Sequence, residues 1–105
     1  MSDRLLVFRQ WIKEQGLKAT AQREDIAQAF FSTSRHISVE ELYSEVRRLN
    51  PRVGYATVYR TMKLLKECGL AAERHFADGQ ARFENVEAER HHDHIICERC
   101  GRIVE

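Results

Sequence analysis

Apolar residues recur at helical spacing through most of this chain, then flank two short runs either side of Asp78-Gly79, then give way to a cluster of metal-ligand side chains. Leu5, Phe8, Trp11 and Ile12 share one stripe and predict a helix over residues 3–15, with Gly16 placed to cap its C-terminus. Thr20 supplies the N-cap oxygen of a second helix, whose apolar face is Ile26, Ala27, Phe30 and Phe31. Ser38 and Glu41 stand at capping-box spacing and open a third helix carrying Val39, Leu42, Tyr43, Val46 and Leu49 on one side. Asn50-Pro51 ends it and starts a turn. A fourth helix runs from Tyr55 to Cys68 and stops at Gly69. Residues 70–76 and 81–86 then predict a hairpin across Asp78-Gly79, with Ala77 to Gln80 as a loose loop.

Three to four short helices followed by a hairpin is the order of a winged helix-turn-helix, so an α+β fold is expected, the hairpin being the wing. The polar stretch from Val86 to Arg90 reads as a hinge. From His91 to Glu105 the pattern is a strand, a Cys-x-x-Cys-Gly turn and a second strand. A two-stranded ribbon is marginal by itself, so this hairpin is read as the start of an incomplete unit.

Composition narrows the classes. The 105 residues carry a formal net charge of +1 and are 43% hydrophobic, which allows a small core and leaves any nucleic-acid affinity to local placement of charge. Three cysteines, an odd number, and an N-terminus without a signal-peptide pattern lead us to expect a reducing, cytoplasmic setting. No apolar run approaches the roughly 20 residues of a membrane span, and none is expected.

On the fourth helix, Val58, Met62 and Leu65 form the core stripe, while Tyr59, Arg60 and Lys63 gather on the opposite face. Tyr55 and Thr57, in its first turn, complete a surface suited to a major groove. Arg can bond guanine edges, and a Thr methyl or a Tyr ring can pack on thymine methyls. Lys18 and Arg23, around the start of the second helix, are placed for phosphates. Many amphipathic helices have a solvated basic face, so this helix by itself is a weak signal.

The densest chemistry is the segment His91-His92-Asp93-His94-Ile95-Ile96-Cys97-Glu98-Arg99-Cys100. Imidazole, carboxylate and thiolate are ligands for zinc, iron and manganese. On a strand, His92 and His94 share one face while His91 and Asp93 share the other, so one strand can feed two metal centres.

Helix order, Ala56-Thr57-Val58-Tyr59-Arg60, Phe83-Glu84 and the His91 to Gly101 cluster together resemble the ferric uptake regulator family over nearly the whole chain. That resemblance implies a dimeric, metal-responsive transcriptional repressor. It divides the chain into a winged-helix DNA-binding domain (1–86), a hinge (87–90) and the start of a truncated α/β dimerisation and metal-binding domain (91–105). It also implies a sensory site of His36, Glu84, His92, His94 and Glu105. His91 and Asp93 correspond to half of a second site, and Cys97 and Cys100 to half of a structural Zn(II) site. For His36 alone a surface histidine is the better reading, and the resemblance reverses it. Glu84 and Glu105 point to the iron-responsive type, because the peroxide-sensing branch has Asp there, and Arg90 breaks the His-x-His-x-His arrangement of the nickel-responsive branch. Fe(II) or Mn(II) is the expected co-repressor, double-stranded operator DNA the partner, and homodimerisation the full-length state, with this chain alone mostly monomeric. The alternatives are a zinc- or manganese-responsive relative, or a small zinc-ribbon interaction module built on Cys97 and Cys100. An enzyme is not expected: a metallohydrolase built on His91 to His94 lacks a general acid and a pocket.

Overall fold

The computed structural model describes residues 3–33 and 36–86. The expected hinge and the dimerisation segment, with His91, His92, Asp93, His94, Cys97, Cys100 and Glu105, lie outside the described residues. Four helices, α1 (Asp3–Glu14), α2 (Ala21–Phe31), α3 (Val39–Leu49) and α4 (Tyr55–Cys68), precede an antiparallel hairpin of β1 (Ala71–His75) and β2 (Ala81–Asn85).

The helix ends obey local chemistry. The Thr20 side chain accepts from the Arg23 amide at the start of α2. Ser38 and Glu41 form the reciprocal capping box of α3. Gly69 ends α4 with φ 93°, a left-handed conformation natural to glycine. Between α3 and α4 the turn is held by Asn50, whose carbonyl accepts from the Val53 amide and whose side-chain oxygen accepts from the Arg52 amide, each at 3.2 Å, while Val53 is buried. Asp78-Gly79 makes a tighter hairpin than the loose loop expected. Gly79, at φ 84°, donates its amide to the Phe76 carbonyl at 2.9 Å, and the Phe76 amide donates to Gln80 at 3.0 Å.

The core collects Phe8 and Ile12 of α1, Ile26 and Phe30 of α2, Leu42 and Val46 of α3, and Val58, Met62 and Leu65 of α4. Leu49, placed on the α3 stripe by its spacing, is instead 76% exposed. It is the last residue of the helix, and burial ends one turn earlier, at Val46. Cys68 is buried, which pushes its thiol up to about 11 and fits it for packing instead of metal ligation.

Alternate residues of the wing divide between two faces. Ala71 and Phe83 point into the core, with Glu73 on their side. The Glu73 side chain is only 11% exposed and accepts from Lys66 Nζ at 2.8 Å and Lys63 Nζ at 3.4 Å. The Lys66 hydrogen bond, aided by Lys63, holds its carboxyl below the usual range. A carboxylate whose folded pKa is depressed contributes stability above its unfolded value, about 4.3, and loses it as pH falls through the folded value. Thermal unfolding is therefore expected at progressively lower temperature as pH drops below about 4.3, with a shallower dependence in Glu73→Gln. Parallel pH profiles for the two proteins would show that Glu73 has no part in acid lability.

Candidate functional site

Two surfaces carry candidate chemistry, and the first is set by a single backbone bridge. Ile37, just ahead of α3, pairs with Phe83 of β2: the Ile37 amide donates to the Phe83 carbonyl at 2.9 Å, and the Phe83 amide donates back at 2.8 Å. In an antiparallel ladder the next opposed pair is then His36 with Glu84, at a non-hydrogen-bonded position where side chains approach most closely. The two side chains meet accordingly. His36 Nε2 lies 2.8 Å from Glu84 Oε1, and because a carboxylate only accepts, the proton of that bond sits on Nε2.

Asn85, the next residue, fastens the end of the wing to α2. Its side-chain amide donates to the Phe30 carbonyl at 2.9 Å and the Thr33 carbonyl at 3.0 Å, satisfying oxygens at the end of that helix.

Sequence reasoning missed the groups around the pair. Arg74 lies on the same outward face of the wing, and its Nε and Nη2 both reach Glu84 Oε2 at 2.8 Å. That guanidinium, with the His36 ring as a lesser contributor, holds the Glu84 carboxyl below the usual carboxylate range. The Phe76 ring meets the His36 ring edge-on at 5.2 Å, and Arg82 stacks over the other partner of that contact, 4.8 Å from the Phe76 centroid. Only the strand alternation offered a signal for these, and it does not say which outward residues touch.

The donor set fits a first-row divalent ion. Two ligands with bonds of about 2.1 Å at right angles stand about 3 Å apart, close to the observed separation of Nε2 and Oε1. Among the described residues no group of three or more His, Cys, Asp or Glu gathers, so this pair alone is a partial site. His36 and Glu84 are joined directly by that hydrogen bond.

The second surface is α4. Tyr55, Tyr59 and Arg60 are exposed, while Val58, Met62 and Leu65 are buried. Thr57 is half-buried. Tyr55 is braced by Tyr43, ring edge to ring face at 5.6 Å, and its hydroxyl donates to Glu40 at 3.4 Å. Partial burial and then the Glu40 charge push its phenol above the ordinary range. Lys63 is less free than its position on the helix suggested: besides Glu73, it lies 5.4 Å from the Tyr59 ring centroid. Lys18 is exposed, and Arg23 Nη1 donates to the Lys18 carbonyl at 2.7 Å, tying the residues ahead of α2 to its first turn. No described helix is long and apolar enough to cross a membrane.

Comparison with known proteins agrees with the fold. A sequence model described as "Ferric uptake regulator family" matches residues 14–105. The chain is similar to the ferric uptake regulation protein of Rhizobium leguminosarum bv. viciae, at 36% identity over 105 residues, covering the whole chain and 73% of that relative. Its similarity to the ferric uptake regulation protein of Campylobacter jejuni is 37% identity over 100 residues, covering 93% of this chain and 63% of that protein. It thus spans less than two thirds of the Campylobacter relative's length. A solved structure named "manganese uptake regulator" superposes with a TM-score of 0.67 at 28% identity, covering 93% of this chain and 88% of its own.

Proposed function

Because the chain belongs to the ferric uptake regulator family, we propose that it is a metal-dependent transcriptional repressor that binds operator DNA as a homodimer and responds to Fe(II), a regulator and not an enzyme. The observation that carries the reading is the opposed His36–Glu84 pair at the root of the wing. His36 belongs to the approach to α3 and Glu84 to β2, the last element before residues 87–90, so ligands beyond that segment, His92, His94 and Glu105, would complete a site joining the two parts. A divalent ion, when bound, supplies a positive centre shared by donors on both sides of that join. To hold such an ion His36 would present an unprotonated Nε2, its proton passing to Nδ1 or to solvent, Glu84 would turn a lone pair from its present partners, and the winged helix would take one orientation out of several. In that orientation Arg60, Tyr55 and Tyr59 of α4 meet base edges, while Lys18 and Arg23 contact phosphates.

Fe(II) is favoured by the Glu at position 84 and by relatives named for ferric uptake regulation. Mn(II) or Zn(II) is the second reading, favoured by the fold match to a manganese uptake regulator and by the overlap of ligand preferences.

The test is selection of duplexes from a random pool, with Mn²⁺ as an oxygen-stable stand-in and again with a chelator. A motif with two-fold symmetry should be enriched with metal and lost with chelator or in His36→Ala. Equal enrichment under chelation would sink the metal dependence, and no enrichment at all would sink the DNA reading. Mn²⁺ affinity should also weaken steadily on acidification from pH 8 to 6, since ligand protons compete with the ion. A flat profile would argue against imidazole ligands.

A further inference from the structure

Both oxygens of the Glu84 carboxylate are engaged by side chains: Oε1 by His36, and Oε2 by the two-pronged contact from Arg74. We propose that Arg74 is a built-in competitor for the sensory metal, holding Glu84 so that an ion must either displace the guanidinium or bind the other carboxylate oxygen beside its charge, and thereby setting the concentration at which the site fills. This rests on the reading of His36 and Glu84 as ligands.

The placement of Arg74 suits a cation that is held but releasable. It projects from β1 two positions along from Ala72, the residue paired with Glu84, and so reaches the carboxylate diagonally on the outward face of the wing. Its side chain is 57% exposed, against 29% for Glu84, so it can swing into water without a backbone change. Leaving Glu84 costs it the contact that offsets a neighbouring charge. Directly opposite Arg74 in the ladder stands Arg82, a like charge on the same face. Arg82 is already engaged by Asp78 at 3.0 Å and stacked on Phe76, and so does not contact Glu84. Glu84 is therefore the carboxylate that relieves Arg74, and taking it for a metal exposes the ion to a guanidinium a few ångströms away.

The experiment is Mn²⁺ titration of the 105-residue chain, free Mn²⁺ being read by electron paramagnetic resonance, for wild type, Arg74→Gln, Arg74→Lys, Arg82→Gln and Glu84→Gln. Arg74→Gln is expected to bind roughly 3- to 10-fold more tightly, the range that loss of an exposed ion pair and one nearby charge can produce. Arg74→Lys, which keeps the charge without the fork, should fall between Arg74→Gln and wild type. Arg82→Gln removes one positive charge from the same face without freeing Glu84 and should tighten binding less than Arg74→Gln does. Unchanged or weaker binding by Arg74→Gln, together with weak binding by Glu84→Gln, would overturn the competitor and leave the sensor reading standing. Equal gains in Arg74→Gln and Arg82→Gln would also overturn it, since the effect would then be general charge. If Glu84→Gln binds as wild type does, Glu84 is not a ligand and both readings fall.

Discussion

Phe83→Ala is expected to destabilise the described domain by about 3–5 kcal/mol, the usual cost of removing a fully buried aromatic ring. Phe83 is buried in the core cluster formed by all four helices and the start of the wing. Its backbone makes both hydrogen bonds of the bridge to Ile37, so the same residue fills the core and sets the register that opposes His36 to Glu84. Ring removal leaves a cavity under the wing and frees β2 to shift. Chemical denaturation of wild type, Phe83→Ala and Phe83→Leu measures the effect, with Phe83→Leu losing less than half as much because more of the volume is kept. A Phe83→Ala loss below about 1 kcal/mol would mean that the wing is not anchored through this ring. Since whole domains are stable by only about 5–15 kcal/mol, the Ala variant should also be more readily cleaved by proteases within the wing.

Arg60→Ala is expected to weaken binding to a selected duplex by about 1–3 kcal/mol, or roughly 5- to 150-fold, and to relax base preference at the contacted position. Arg60 is exposed on α4, opposite Val58, Met62 and Leu65, which fix the helix in the core, so truncating it should leave the fold intact. Lys18→Ala should behave differently, weakening all duplexes about equally and lowering the salt dependence of binding, as loss of a phosphate contact does. Tyr59→Phe should be milder than either, because the ring is retained. Anisotropy titrations on selected and scrambled duplexes at two salt concentrations separate these outcomes. Were Arg60→Ala to discriminate the two duplexes as wild type does, α4 would not be the reading element.

The helices were legible in the chain because their signals are local. Thr20, Ser38 with Glu41, Asn50 and Gly69 each act on backbone groups within a few residues, and the structure places a cap or stop at every one. The buried stripes at Leu5, Phe8 and Ile12, and at Val58, Met62 and Leu65, follow from helical periodicity alone. The hairpin followed from two short runs bracketing Asp78-Gly79, where the glycine adopts φ 84°. Periodicity overreached at Leu49, since it assigns a face but not where the covering elements end.

The sequence by itself thus determined the elements, their ends and the side chains that face inward, and through a family resemblance it nominated His36 and Glu84. Only the tertiary structure decided that these two meet, and through what. Their contact depends on the Ile37–Phe83 bridge between segments far apart in the chain, a register that no local spacing encodes. It also decided that Arg74 lies on Glu84, that Phe76 lies against His36, and that Glu73 draws on Lys63, because outward positions on a strand share a face without specifying which neighbours come within hydrogen-bond reach.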